Sequence, residues 1–173
     1  MLFRSHILNG KAGNAGHAGH MLLSDTSDAL CGCGNRGDLE SMIGGRNFGK
    51  HLGKPLGDIF DDARRGDAAA VALVQEAARW FGRALYNLTA ILDTEAIFVG
   101  GSVWRHNEDL LAPLVRREID GRFPALTRGV SVQGATLGEL VTDMGAFALV
   151  VPGEWIADWR ARRPWERLEP AKR

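Results

Sequence analysis

Downstream of Asp67, apolar positions fall at Val71, Val74, Ala78, Phe81, Leu85, Leu88 and Leu92, in alternating steps of three and four. Steps of that size keep side chains on one face of a 3.6-residue turn, so they predict a helix. Leu73, Ala77, Trp80, Ala84 and Ile91 add a second stripe, while Gln75, Glu76, Arg79 and Arg83 fall on the opposite side. The helix is therefore long and mostly buried, with Gly66-Asp67 as its start signal. A short apolar run, Ala96-Ile97-Phe98-Val99, then ends in Gly100-Gly101-Ser102 and predicts a strand closing on a glycine turn. Residues 107–117 predict a second helix: Glu108 and Asp109 sit at its start, Arg116 and Arg117 at its end, and Gly121 stops it. Val130, Ser131, Val132 and Gln133 alternate like a strand with one wet face. Residues 142–151 predict a helix in which Gly145 and Ala146 allow a close neighbour, and Trp155, Ile156 and Trp159 suggest a last short helix. Upstream, residues 2–8 read as a short strand and Asn9-Gly10 as a turn. Helix, strand and glycine turn in succession are the grammar of an α/β domain.

Residues 10–57 break this pattern. Glycines are dense there and no long amphipathic period survives, which predicts loops, short strands and one or two brief helices. Glycine costs conformational entropy, so a segment this rich in it inside a domain points to function.

Composition narrows the classes. The 173 residues suit one domain with a real core, and 45% hydrophobic with 24% charged residues is ordinary for a globular protein. Lys and Arg total 21, as do Asp and Glu, so general electrostatics give no case for nucleic acid or an acidic membrane. Arg160, Arg162, Arg163 and Arg167 read as a solvated tail. No apolar run approaches the ~18 residues of a membrane span, and the N-terminus lacks the organisation of a signal peptide. Cys31 and Cys33 are separated by one glycine, too close for an unstrained disulfide. A cytoplasmic protein with thiols free for a metal is the expectation.

The chemistry concentrates in Gly13-Asn14-Ala15-Gly16-His17-Ala18-Gly19-His20 and in Cys31-Gly32-Cys33-Gly34-Asn35-Arg36-Gly37-Asp38-Leu39-Glu40. Thiolate and imidazole are preferred zinc ligands, and a tetrahedral site needs four donors. His20, Cys31 and Cys33 supply three, and Asp38 offers an oxygen as the fourth. Local spacing alone is equally compatible with a glycine loop holding two incidental cysteines.

These residues resemble a known family. The ROK proteins, bacterial sugar kinases and repressors, carry GNAGExGH followed by CxCGxxGCxE; here the text is GNAGHAGH and CGCGNRGDLE. ILDTEAIFVGGSV is similar to the family's NLLDPExIVLGGGV, and TDMGAFAL to its closing GAAxLA helix, so the resemblance covers roughly residues 7–151. It implies an α/β fold: the C-terminal lobe of the ribonuclease-H-like actin/hexokinase ATPase superfamily, a mixed sheet flanked by helices. Residues 1–152 would form that lobe, with the sugar and zinc loop at 10–45, and residues 153–173 a C-terminal helix and charged tail.

The resemblance also implies roles. His20 would ligate a structural zinc and order the sugar site. The three family cysteines match Cys31, Cys33 and Asp38, so one thiolate has become a carboxylate and the affinity should fall. The family's two sugar-contacting glutamates match Glu40 and His17, with Asn14 in the same substrate-binding frame. A carboxylate accepts from two neighbouring hydroxyls, whereas a neutral imidazole offers one acceptor and one donor. Gly100 and Gly101 would lie beneath the adenosine of ATP, at a strand end where α/β folds bind nucleotides. By themselves two glycines also serve any tight turn. Gly145 reads as a packing glycine.

The implied activity is transfer of the γ-phosphate of ATP, with magnesium, to a hexose or N-acetylhexosamine in glucokinase-like chemistry. In the family the phosphate hairpins and the catalytic Asp belong to an N-terminal lobe. Where a GxGxGGG-like phosphate loop would stand, this sequence has MLFRSH, and the stretch between Gly10 and Gly13 is shortened. The expectation is a sugar- and nucleotide-contacting lobe that is inactive alone, from a truncated gene or a mis-assigned start. The alternatives are the sugar-sensing body of a ROK repressor without its helix-turn-helix, and a non-functional remnant. An apolar face turned toward the partner lobe, and a homodimer, complete the expectations.

Overall fold

The computed structural model describes residues 10–48, 50 and 52–150, with the backbone alone of residues 2–3 and 6–7. Two short strands open the chain, β1 (Leu2–Phe3) and β2 (His6–Ile7), paired antiparallel with Leu2 opposite Ile7. The expected strand over residues 2–8 is thus a small hairpin. A 3₁₀ turn at Ala18–His20 precedes three short helices, α1 (Leu39–Ile43), α2 (Gly45–Phe48) and α3 (Leu56–Arg64). The long helix α4 (Ala68–Leu92) follows, then β3 (Ala96–Val99), α5 (Ser102–Asp120), α6 (Pro124–Thr127), β4 (Ser131–Gly134), a 3₁₀ turn at Gly138–Leu140 and α7 (Val141–Val150). The last helix expected from Trp155, Ile156 and Trp159, and the whole of residues 153–173, lie outside the described residues.

Helix α4 starts where the sequence predicts. The side chain of Asp67 accepts from the Ala70 amide at 2.9 Å, satisfying one of the donors a helix start leaves unpaired. Val74, Ala78 and Leu85 of α4 pack against Leu111, Val115 and Ile119 of α5, with Ile59 and Phe60 of α3 and Val132 of β4 completing the core. The helices meet closely at Gly82, where a Cβ would press into the Glu118 side chain. Ile91 departs from expectation and is exposed. The buried face at that end follows Leu85 and Thr89, and Ile91 lies about 200° round the helix from Thr89. Arg79 and Arg83 are half-buried rather than free in solvent, their guanidinium groups 5.3 and 4.8 Å from the Trp80 ring centroid.

Helix α5 begins directly after Gly101, five residues before the predicted start at 107. Asn107 marks a kink, with φ −134° and ψ 19°, and the acids and arginines of the sequence pattern belong to the portion after it. Asn107 is buried and donates to the Val103 carbonyl at 2.9 Å. Arg64 at the end of α3 ties this bend down, donating to the His106 carbonyl at 2.9 Å, to Asn107 Oδ1 at 3.1 Å and to Asp109 Oδ1 at 2.9 Å.

β3 and β4 pair in parallel, Ala96 opposite Ser131 through Val99 opposite Gly134, with α5 as the crossover. The class is α/β, as expected, with the parallel and antiparallel pairings in two separate two-stranded sheets among the described residues. No helix there is long and apolar enough to cross a membrane.

Candidate functional site

Backbone pairing folds the glycine-rich loop. Leu22 and Asp38 form an antiparallel bridge, the amides of Leu23 and Ser24 both donate to the Gly37 carbonyl, at 2.8 and 3.1 Å, and Leu39 N–H donates to Met21 O at 3.0 Å. His20 is thereby drawn alongside Asp38. The approach requires glycine at 37: its φ is 72°, and a Cβ there would collide with the Ser24 carbonyl. Between these paired stretches the chain reverses at Cys31–Asn35, where Cys31 N–H donates to Asn35 O at 2.8 Å and Gly34 N–H to Cys31 O at 3.0 Å. That turn folds both thiols back onto Asp38.

The resulting cluster is tight. His20 Nδ1 lies 3.1 Å from Asp38 Oδ2 and 3.8 Å from Cys31 Sγ, and Cys33 Sγ–H donates to Asp38 Oδ2 at 3.6 Å. All the donor atoms of His20, Cys31, Cys33 and Asp38 lie within 4.8 Å of one another. Zinc bonded to nitrogen, oxygen and sulfur at its usual lengths gives tetrahedral edges of roughly 3.3–3.8 Å. The residues fit such an ion. Cys31 and Asp38 are buried, while His20 and Cys33 face solvent.

Asp38 is held as a carboxylate. Burial pushes its pKa up, but the hydrogen bonds from His20, the Ser41 amide and both thiols outweigh it and lower the value to about 2. The Cys31 thiol moves the other way, to about 11. A backbone hydrogen bond at Cys33 pulls it down, against burial, its bonds to Cys33 and Asp38, and the Asp38 charge.

Around the cluster stand the candidate sugar contacts. His17 is exposed, its ring centroid 6.1 Å from that of His20 with the planes at 81°. Glu40 is exposed in the first turn of α1, and its carboxylate lies over Gly19: a Cβ built there would sit 3.4 Å from Glu40 Oε2. Asn14 is exposed in the turn between Gly13 and Gly16, both at positive φ. His17, His20 and Glu40 therefore share one open face.

Gly100 and Gly101 sit apart from them, at the carboxyl end of β3. Beside them the end of β4 is held by Glu108, whose Oε1 accepts from Gly134 N–H at 3.0 Å. The crevice between the two strand ends holds only about 40 Å³ and is lined by Trp104, Arg105 and Gly138. A larger cavity, about 280 Å³ and almost wholly apolar, reaches Gly100 from the other side past Phe48, Phe81 and Trp104.

Comparison with known proteins agrees with this geometry. The ROK family profile matches residues 1–152. The chain belongs to the ROK family. It is 38% identical over 108 residues to an N-acetylmannosamine kinase of Yersinia pestis (strain Pestoides F), an alignment covering 60% of this chain and 37% of that one. Among solved structures it resembles a ROK hexokinase from Thermus thermophilus, with a TM-score of 0.67, 28% identity, and coverage of 82% of this chain and 49% of that one. It also resembles a ROK family glucokinase from Streptomyces griseus in complex with glucose and AMPPNP, at the same TM-score and identity, with coverage of 84% and 54%. The chain therefore spans about a third to a half of the length of these relatives. Its fold is that of the ROK kinases, the actin/hexokinase-like ATPase fold.

Within this ROK chain, the sequence motif names every member of the His/Cys/Asp cluster but misses what orients it. Ser41 holds Asp38 in place: its amide donates to Asp38 Oδ1 at 2.8 Å and its hydroxyl to the Asp38 carbonyl at 2.7 Å. An acidic residue followed three positions on by a helical serine was the available signal. Nothing local marks Gly134 or Glu108, which meet only through the parallel pairing of β3 with β4.

Proposed function

We propose that these residues form the sugar-gripping and adenosine-facing part of a ROK-type ATP-dependent sugar kinase, acting on a hexose or an N-acetylhexosamine. What carries the reading is the meeting of His20 with both thiols and Asp38 while Glu40 lies over Gly19 on the same face. Glu40 accepts hydrogen bonds from two neighbouring sugar hydroxyls. His17 and Asn14 supply further contacts, and His20, with Nδ1 turned into the cluster, has its other ring nitrogen left for the sugar. His20, Cys31, Cys33 and Asp38 hold zinc, which supplies rigidity to the loop and takes no part in the chemistry of transfer. Gly100 and Gly101 lie beneath the adenosine of ATP, whose phosphates bring magnesium.

The kinase relatives support this substrate class, one in complex with glucose and AMPPNP and another an N-acetylmannosamine kinase. Phosphoryl transfer also needs a phosphate cradle, a magnesium site and a base for the attacking hydroxyl. None of the residues assigned above has those roles, so the 173-residue polypeptide by itself binds without transferring. The test is thermal unfolding of the zinc-loaded polypeptide against glucose, N-acetylmannosamine and ATP, with sugar phosphate assayed in parallel. A rise in midpoint that grows with the logarithm of one sugar's concentration is expected, about 2.7 kcal/mol at a hundredfold excess over Kd, and no sugar phosphate. Glu40→Gln should weaken that sugar about 10- to 100-fold, the loss of a charged acceptor. No shift with either sugar would overturn the reading.

A further inference from the structure

The carboxylate of Asp38 points two ways. Oδ1 accepts from the Ser41 amide at 2.8 Å and so caps α1, while Oδ2 lies 3.1 Å from His20 Nδ1 and 3.6 Å from Cys33 Sγ, within the cluster. The residue is only 1% exposed, and its own carbonyl accepts the Ser41 hydroxyl at 2.7 Å. Glu40 is the second residue of the helix so capped, and Gly44 N–H closes the same short helix on the Glu40 carbonyl at 2.8 Å. Five residues of helix cannot hold themselves together in water. α1 is held by Leu39, buried where the helix packs on α4, and by the Asp38 cap, which fixes the first turn in which Glu40 sits.

We propose that Asp38 is a positioning residue that fuses two tasks on one side chain: one oxygen caps the helix carrying Glu40 while the other completes the metal site. Metal binding and the placement of Glu40 then form one unit. This rests on the metal reading given above. A cysteine at this position would have to meet metal and amide through a single sulfur, a weaker acceptor for the Ser41 amide than a carboxylate oxygen. The carboxylate replacing it gives up a sulfur ligand, and with it some affinity, in exchange for a direct link from metal to helix. Asparagine separates the tasks, because it caps a helix as well as aspartate does but offers the metal a neutral amide.

The experiment is amide hydrogen exchange at Ser41, read with zinc and with chelator, in the wild-type chain, Asp38→Asn and Asp38→Cys, together with zinc affinity by competition against a chromophoric chelator. In the wild type, zinc should slow exchange at Ser41. Asp38→Asn should keep the wild-type rate in chelator, lose the zinc-dependent slowing, and bind zinc about 100-fold more weakly or worse. Asp38→Cys should bind zinc at least as tightly as wild type, yet exchange about fivefold faster at Ser41 in chelator, as a lost cap requires. If zinc binds the wild type without changing exchange at Ser41, or if Asp38→Asn keeps its zinc affinity, the inference is overturned while the metal site stands. If the wild type binds no zinc, the metal reading falls and this inference with it. The wild-type comparison needs no variant to fold.

Discussion

At the scale of single residues, the cluster holds its two kinds of ligand in opposite states of readiness. Asp38 is already ionised, with its pKa near 2, whereas the Cys31 thiol, near 11, is protonated at neutral pH. Zinc takes thiolate, so binding must expel that proton. Calorimetry of zinc binding in buffers of different ionisation enthalpy should show net proton release at pH 7.5, with affinity rising with pH. Binding without proton release would contradict the assignment of Cys31 as a ligand. Gly37 is the backbone counterpart: Gly37→Ala meets the Ser24 carbonyl at a positive φ, so it should lower both the unfolding midpoint and zinc affinity. The candidate ligands were legible in sequence because sulfur and imidazole among glycines are chemically conspicuous, and the structure brings them together. Ser41 was not, because a cap exists only where a helix begins, and α1 is too short to leave a periodic trace.

Elements were legible in proportion to their length and burial. The period of α4 extends over 25 residues and its start carries Asp67, so both the helix and its cap could be read. α3 lies almost wholly beyond the glycine-rich stretch, where no element was expected, although Leu56, Ile59, Phe60 and Ala63 follow helical spacing after Pro55. α5 opens on Val103 and Trp104 without a sustained helical period and bends at Asn107, which hid its start. That bend depends on Arg64. Arg64→Ala leaves the buried Asn107 Oδ1 without its donor and should cost about 1–3 kcal/mol in denaturant unfolding. It also changes the acid limb. The Arg64 guanidinium lowers the pKa of Asp109, so the pair adds stability above the ordinary carboxylate pKa of about 4 and loses it as pH falls through the folded value. Between pH 4 and lower values the wild type should therefore lose stability more steeply than Arg64→Ala; parallel curves would count against the latch. At the α4–α5 crossing, Gly82→Val should cost about 1–3 kcal/mol by driving the helices apart at Glu118.

For the whole molecule, the sequence conveyed the class and the family, because the motif, the strand with its glycine turn and the closing helix appear in family order. How the pieces pack was less legible. Trp104 is buried between the core and the Gly100 turn, and its indole N–H has no partner among the described residues. Trp104→Phe should cost far less than Trp104→Ala, for which about 3–5 kcal/mol is expected, since the phenyl ring keeps most of the packing and leaves no donor unpaired. Phe98 on β3 is 64% exposed, and Val103 near it is 43% exposed. Apolar surface beside a strand paired on one side among the described residues favours association. Sedimentation velocity should show concentration-dependent self-association that Phe98→Glu reduces. The proposed function rests on a loop pinned by a metal. The most direct measurement is zinc-edge X-ray absorption on the purified chain. The expected result is one zinc per chain with two sulfurs near 2.3 Å and two light atoms at about 2.0–2.2 Å. A chain that retains no zinc, or a zinc surrounded by light atoms alone, would contradict it.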